Sequence, residues 1–257
     1  MTVATWAPAE YEDAARAEID RMADAVRASD LAARVPSCPD WNVAELVAHV
    51  GRIHRWAARM VRDRASERLD PRSFDLELPA DATDARAYGE WLAAGGDLLG
   101  DAFAATDPDA DVWSWGADQH ARFWSRRMLH ETCVHRVDAD LACGQETTVD
   151  ARIAADGIGE LLANIPTARY FRPRVAELRG EGESIALRSR DRDEGWHIRL
   201  RADGFEWEPV VASGATVTVT APTETLLLVL YGRRPATATD LEGDDALLAR
   251  WLEASKL

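Results

Sequence analysis

Lysine is almost missing from this chain. Lys256 is the only one, and every other basic side chain is arginine. A Schiff-base lysine mechanism therefore has essentially no candidate. Positive charge as a whole is short, with Lys+Arg 30 against Asp+Glu 45 and a formal net charge of -15. A surface of that sign does not grip nucleic acid, which needs a basic face. Nor does it adsorb to anionic lipid. It still allows a small anionic ligand held by a few local arginines. Cysteine is sparse: Cys38, Cys133 and Cys143, with no CxxC pair. An odd, scattered set does not describe a disulfide framework and points to a reducing, cytoplasmic setting. Long hydrophobic runs are also absent. The strongest, LLLVLY at 226–231, is too short to span a bilayer. The first twenty residues carry acids where a signal peptide needs basic and then apolar residues.

What remains is 257 residues with an ordinary 47% apolar content, enough for one large domain or two modest ones. The first half reads as helices. Tyr11, Ala15, Ile19, Met22 and Val26 recur at steps of three or four, which predicts an amphipathic helix over about 8–30. After the loop VPSCPDW, a second helix starts at Asn42 with Glu45 three residues later, a capping-box pattern. A third helix is predicted over 84–104, weakened centrally by Gly95-Gly96, and a fourth over about 118–142. Four helices joined by loops predict an antiparallel bundle, with Trp113 and Trp115 as plugs. A fifth helical segment at 149–165 leads away from it. The second half changes period. SIALRSR, GWHIRLRA, GFEWEPV and ATVTVTA read as short strands, followed by helices at 222–231 and 243–253. The expected organisation is an all-α four-helix bundle in residues 1–150, then a linker helix and a small α+β domain in 151–257.

The chemistry concentrates in HETCVHRVDAD at 130–140. Helical residues advance by about 100° each, so Glu131 and His135 sit about 40° apart on one face. His130 and His135 are separated by about 140°, and Cys133 points well away from Glu131. The zinc-protease pattern HExxH fails because the second histidine comes one residue late. The surviving pair is Glu131 with His135. A catalytic zinc needs a third protein ligand, and the second helix offers His49 or His54. His49 shares a stripe with Leu46, Ile53 and Trp56 and is favoured modestly as the inward one. The plain alternative is an ordinary i,i+4 surface pair worth ~0.3 kcal/mol. Under that reading Arg136, Asp138 and Asp140 are solvated charge. Asp138 has a competing use, as a hydrogen-bond partner behind a ligand. Cys133 reads as packing. No Ser-His-Asp triad, P-loop or dinucleotide fingerprint is present.

Three stretches carry a resemblance: VPSCPDWNVAELVAHV at 35–50, RRMLHETCVHRVDADLACG at 126–144 and TVTVTAPTETLLLVLYGRRP at 216–235. In that order they resemble the mycothiol-dependent maleylpyruvate isomerase family, whose N-terminal half is a DinB-like four-helix metal domain. The resemblance implies His49, Glu131 and His135 as metal ligands. It also implies that Arg233, in the family's Gly-Arg element at Gly232-Arg233, reaches the active-site region. Adjacent Arg234 competes for that catalytic and cofactor-binding role. The implied cofactor is Zn2+ or another divalent metal, with mycothiol as cosubstrate. The implied activity is a metal- and thiol-dependent isomerase or S-transferase acting on a small electrophile. A metal-water hydrolase and a non-catalytic ligand-binding protein are the alternatives. The expected partners are that electrophile and a low-molecular-weight thiol, with no nucleic acid and no membrane; the oligomeric state is left open.

Overall fold

The structure is a computed structural model that describes residues 6–73 and 76–256. Among these, the chain divides into two compact units, one of residues 6–114 and 118–147 and the other of 115–117 and 148–256.

The first unit is a bundle of four helices, α1 (Pro8–Arg27), α2 (Val43–Arg62), α3 (Ala85–Ala104) and α4 (Ala121–Ala142). The apolar stripe predicted for α1 is buried along its length, from Tyr11 to Val26. The start of α2 is the predicted capping box. Glu45 N donates to Asn42 Oδ1 at 2.9 Å, and Asn42 N donates to Glu45 Oε2 at 2.8 Å, which satisfies two otherwise orphaned donors. α4 begins three residues later than predicted. Asp118 is occupied in the preceding turn, accepting from Arg122 Nε at 2.8 Å.

Packing runs in the cyclic order α1-α3-α2-α4, each helix lying against two others. The connections α1-to-α2 and α3-to-α4 therefore span diagonals rather than joining close neighbours. α3 runs unbroken through Gly95 and Gly96, contrary to the expected central weakening. A Cβ at Gly95 would come within 2.5 Å of Arg55 Nη1, and one at Gly96 within 2.9 Å of Ile19 Cγ2. The two glycines let side chains of α2 and α1 lie against the α3 backbone, and that packing offsets their low helix propensity. Trp113 packs near Trp56, ring centroids 6.4 Å apart. Trp115 does not plug the bundle; it groups with the second unit, its ring edge-on to Phe171.

The second unit opens with α5 (Ala151–Ala168), which carries Pro166 within its last turn. A five-stranded sheet follows in the order β3-β2-β1-β4-β5, from β1 (Ser184–Ser189), β2 (Gly195–Arg201), β3 (Gly204–Glu208), β4 (Val217–Ala221) and β5 (Asp240–Gly243). β1 pairs parallel to β4; the other pairings are antiparallel. α6 (Thr223–Leu230) and α7 (Asp245–Ala254) complete the unit. α6 ends in a Schellman motif. Gly232 N donates to Val229 O and Arg233 N to Leu228 O, with Gly232 at φ 72. That left-handed turn is one glycine adopts without a Cβ penalty. No helix among the described residues is long and apolar enough to cross a membrane.

Candidate metal centre

α2 and α4 pack against each other and bring three donors together. Among the described residues, His49, Glu131 and His135 form the one group able to hold a metal ion, each offering an atom within 4.8 Å of the others. Glu131 Oε1 lies 3.4 Å from His49 Nε2 and 3.3 Å from His135 Nε2. Two ligands of a tetrahedral zinc, each at about 2.0–2.1 Å, are separated by about 3.3 Å. Both measured edges match that separation. Two imidazole nitrogens and one carboxylate oxygen suit zinc and several other divalent ions. The donor set therefore fits the group the sequence led us to expect.

Each donor is held by a neighbour. Arg127, one turn before Glu131, donates from Nη2 to Glu131 Oε2 at 2.9 Å. That engages the far oxygen and leaves Oε1 toward the histidines. His135 Nδ1–H donates to Asp138 Oδ2 at 2.8 Å, which turns Nε2 toward Glu131. The ring of Trp41, just before α2, lies 4.7 Å from that of His49 and 6.2 Å from that of His135. The side chains of His49, Glu131 and His135 are 33%, 21% and 12% exposed, so the cluster is walled but open to solvent at the His49 end.

Charge is strongly perturbed here. Burial alone would raise the Glu131 pKa, but hydrogen bonds from His135 and His49 and the charge of Arg127 hold it well below the usual carboxylate range. Burial alone would lower His135, but Asp138 and Glu131 outweigh it and push the imidazole up to about 9. A carboxylate kept ionised beside a proton-loving imidazole is an environment that welcomes a cation.

Several expectations need correction. Asp138 is not a surface acid; its side chain is 0% exposed. Arg136 and Asp140 are not solvated either. Arg136 is buried, donating from Nε to Glu18 Oε2 at 2.8 Å and from Nη1 to Asp140 Oδ2 at 2.6 Å. His54, placed on the less favoured side, is the fully buried histidine of α2, its Nε2 2.8 Å from Thr132 Oγ1. Burial pushes it down to about 3, so it is neutral. α3 and α4 cover α2 on two sides, and the buried arc is wide enough to take in residues the stripe argument left outside. Cys133 is buried, and burial pushes its thiol up to about 12, which removes it as a nucleophile.

In the second unit, Arg233 follows directly from the α6 terminus and donates from Nη1 to Tyr231 O at 2.8 Å. Arg234 is engaged by the first turn of the same helix, donating to Thr225 Oγ1 and Glu224 Oε1, each at 2.7 Å.

Two domains of one family match the chain. Residues 13–140 match the mycothiol maleylpyruvate isomerase N-terminal domain, and residues 152–250 match the C-terminal domain of the same family. Two solved structures of the mycothiol-dependent maleylpyruvate isomerase, one of them a histidine-to-alanine variant, share the fold. Each superposes with a TM-score of 0.58 at 14% identity over 92% of this chain and 93% of theirs. No curated protein sequence matches.

Proposed function

Since the chain belongs to the mycothiol maleylpyruvate isomerase family and is an enzyme of isomerase or transferase type, we propose that His49, Glu131 and His135 hold a divalent cation, zinc by donor preference, and that mycothiol and a small electrophilic molecule are the substrates. One observation carries the reading: the convergence of two imidazoles and one carboxylate oxygen from two helices, at 3.3 and 3.4 Å.

When bound, the cation supplies positive charge that lowers the pKa of a nearby thiol. The protein's own groups prepare for it. Glu131 brings one negative charge on Oε1 while Arg127 holds Oε2. In the metal-free protein His135 keeps a proton on Nε2, facing Glu131, and that proton must leave for Nε2 to become a donor. Trp41 shields one side of both imidazoles, restricting water at the site. A thiolate so favoured is a nucleophile toward activated carbon. Thiolate addition to an activated double bond would leave a carbon–carbon single bond free to turn before the thiolate departs, giving isomerisation, whereas protonation of the adduct would complete a transfer. The Gly232-Arg233 element is what supports Arg233 as a residue for an anionic group of a substrate, since a guanidinium can offer a forked hydrogen-bond pair. Three free cysteines in three separate places accord with a reducing cytoplasm.

Elemental analysis tests the metal assignment. The purified protein should carry stoichiometric zinc or another divalent metal, and His49→Ala and Glu131→Ala should lose it. Full occupancy in both variants would reject the site. Calorimetry then tests the thiol: its binding should vanish on metal removal. Turnover of an electrophilic ester without any thiol would instead favour hydrolysis by water.

A further inference from the structure

Asp138 is a fully buried acid that the proposed chemistry does not consume. It lies one turn beyond His135 on α4 and takes hydrogen bonds on both oxygens. Oδ2 accepts from His135 Nδ1–H at 2.8 Å and lies 3.8 Å from Cys38 Sγ; Oδ1 accepts from Ser37 Oγ at 2.5 Å. Ser37 and Cys38 belong to the 35–41 loop that leads into α2 and ends at Trp41. One carboxylate thus joins a donor on α4 to the segment that sets where the His49 helix begins.

We propose that Asp138 is a positioning residue for the metal centre: it fixes His135 in the Nδ1–H form with Nε2 toward Glu131. The inference rests on the metal reading above and deepens it. The physical case has three parts. An imidazole exposes a lone pair on Nε2 only if its proton sits on Nδ1, and an ionised acceptor at Nδ1 enforces that form. A fully buried carboxylate is costly to retain unless its hydrogen bonds are satisfied, and Asp138 receives them from groups on both sides of the site. Negative charge behind the ring also raises the basicity of the donor nitrogen. Glu131 faces the same ring from its other edge at 3.3 Å, so His135 is held between two acids and has no freedom to flip.

The experiment measures Zn2+ dissociation constants by competition with a chromogenic chelator, alongside thermal melts of the metal-free proteins. Asp138→Asn and Asp138→Ala should each bind zinc about 10- to 100-fold more weakly than the parent. Ser37→Ala removes a hydrogen bond to the same carboxylate without touching the ring contact, and it should stay within about threefold of the parent if the effect runs through His135. A cooperative melt of metal-free Asp138→Asn shows that the loss is not unfolding. If Asp138→Ala fails to fold, the isosteric Asn variant carries the test. Parent-like zinc affinity in a folded Asp138→Asn overturns the positioning role and leaves the metal reading standing. An equal loss in Ser37→Ala also overturns it, because the effect would then come from general loosening of the loop. A parent protein that binds no divalent metal overturns both.

Discussion

α4 carries two polar clusters that begin one residue apart, one reaching Glu18 on α1 and the other His49 on α2. At Arg136 the guanidinium meets Glu18 and Asp140, and Glu18 also meets Arg21 at 2.8 Å. Acids and bases balance, and Arg136 and Glu18 are buried. At His135 two acids, Glu131 and Asp138, face one guanidinium and two imidazoles. The donor atoms lie within 4.8 Å of one another, and His49 stays a third exposed. A cluster that satisfies itself holds helices together. A cluster with donors at ligand spacing, balanced by a proton on His135 that a metal ion can displace, is arranged for a cation from outside.

Crossed substitutions break or sharpen this contrast. The largest effect is expected at the open cluster. His49→Ala should lose zinc altogether while changing the stability of the metal-free fold by no more than about 1 kcal/mol, as a partly exposed side chain should. Chelator competition and urea unfolding of the stripped protein check the two halves. At the closed cluster the pattern should invert. Arg136→Ala leaves Glu18 and Asp140 without their buried partner and should cost about 3–5 kcal/mol by urea unfolding. The refolded fraction should still bind zinc. Were both variants to lose zinc with equal loss of stability, the two clusters would be one structural unit and the contrast would fail.

The clusters also respond differently to pH. His135 is pushed up from 6.5 to about 9 by Asp138 and Glu131 against burial. Its proton therefore stabilises the metal-free fold in full below about 6.5, and that contribution fades as pH rises through 9. A metal ion must displace the same proton. Zinc affinity should consequently fall by about tenfold for each unit of pH below 9, while Arg136, whose pKa is raised against burial by Glu18 and Asp140, keeps its charge throughout. Chelator competition between pH 7 and 9 checks the slope. A flat profile would place the proton elsewhere.

The open cluster was the more legible of the two. Helical period alone puts Glu131 and His135 on one face, and they lie 3.3 Å apart. The start of α2 was equally plain, because Asn42 and Glu45 write the capping box in four residues. Asp138, Arg136 and His54 were not legible, and for one reason. α4 is buried nearly all the way round, from Trp124 and Arg127 to Val137, Asp138 and Asp140. With no solvent face, periodicity cannot sort inward from outward positions, and a charged residue in such a helix reads as surface until its partner is known. Glu18, the partner of Arg136, is 118 residues away in sequence. β5 escaped for the opposite reason. Two of its four residues, Asp240 and Glu242, are acidic, and all but Leu241 are exposed at a sheet edge, so no buried apolar alternation marks it.

The smallest expected effect concerns how firmly the site depends on the start of α2. Asn42→Ala removes the side-chain acceptor for Glu45 N and should cost about 1 kcal/mol, the usual worth of an N-cap. His49 lies seven residues further on, about two turns into the helix, where the backbone is fixed by its own ladder and by packing on α4. Zinc affinity should then stay within about twofold of the parent. Trp41 neighbours the lost cap directly and lies against both imidazoles. If Asn42→Ala weakens zinc as much as the substitutions at Asp138 do, the loop holds His49 as well as His135. The cation site would then be set by the 35–41 segment rather than by the meeting of two rigid helices.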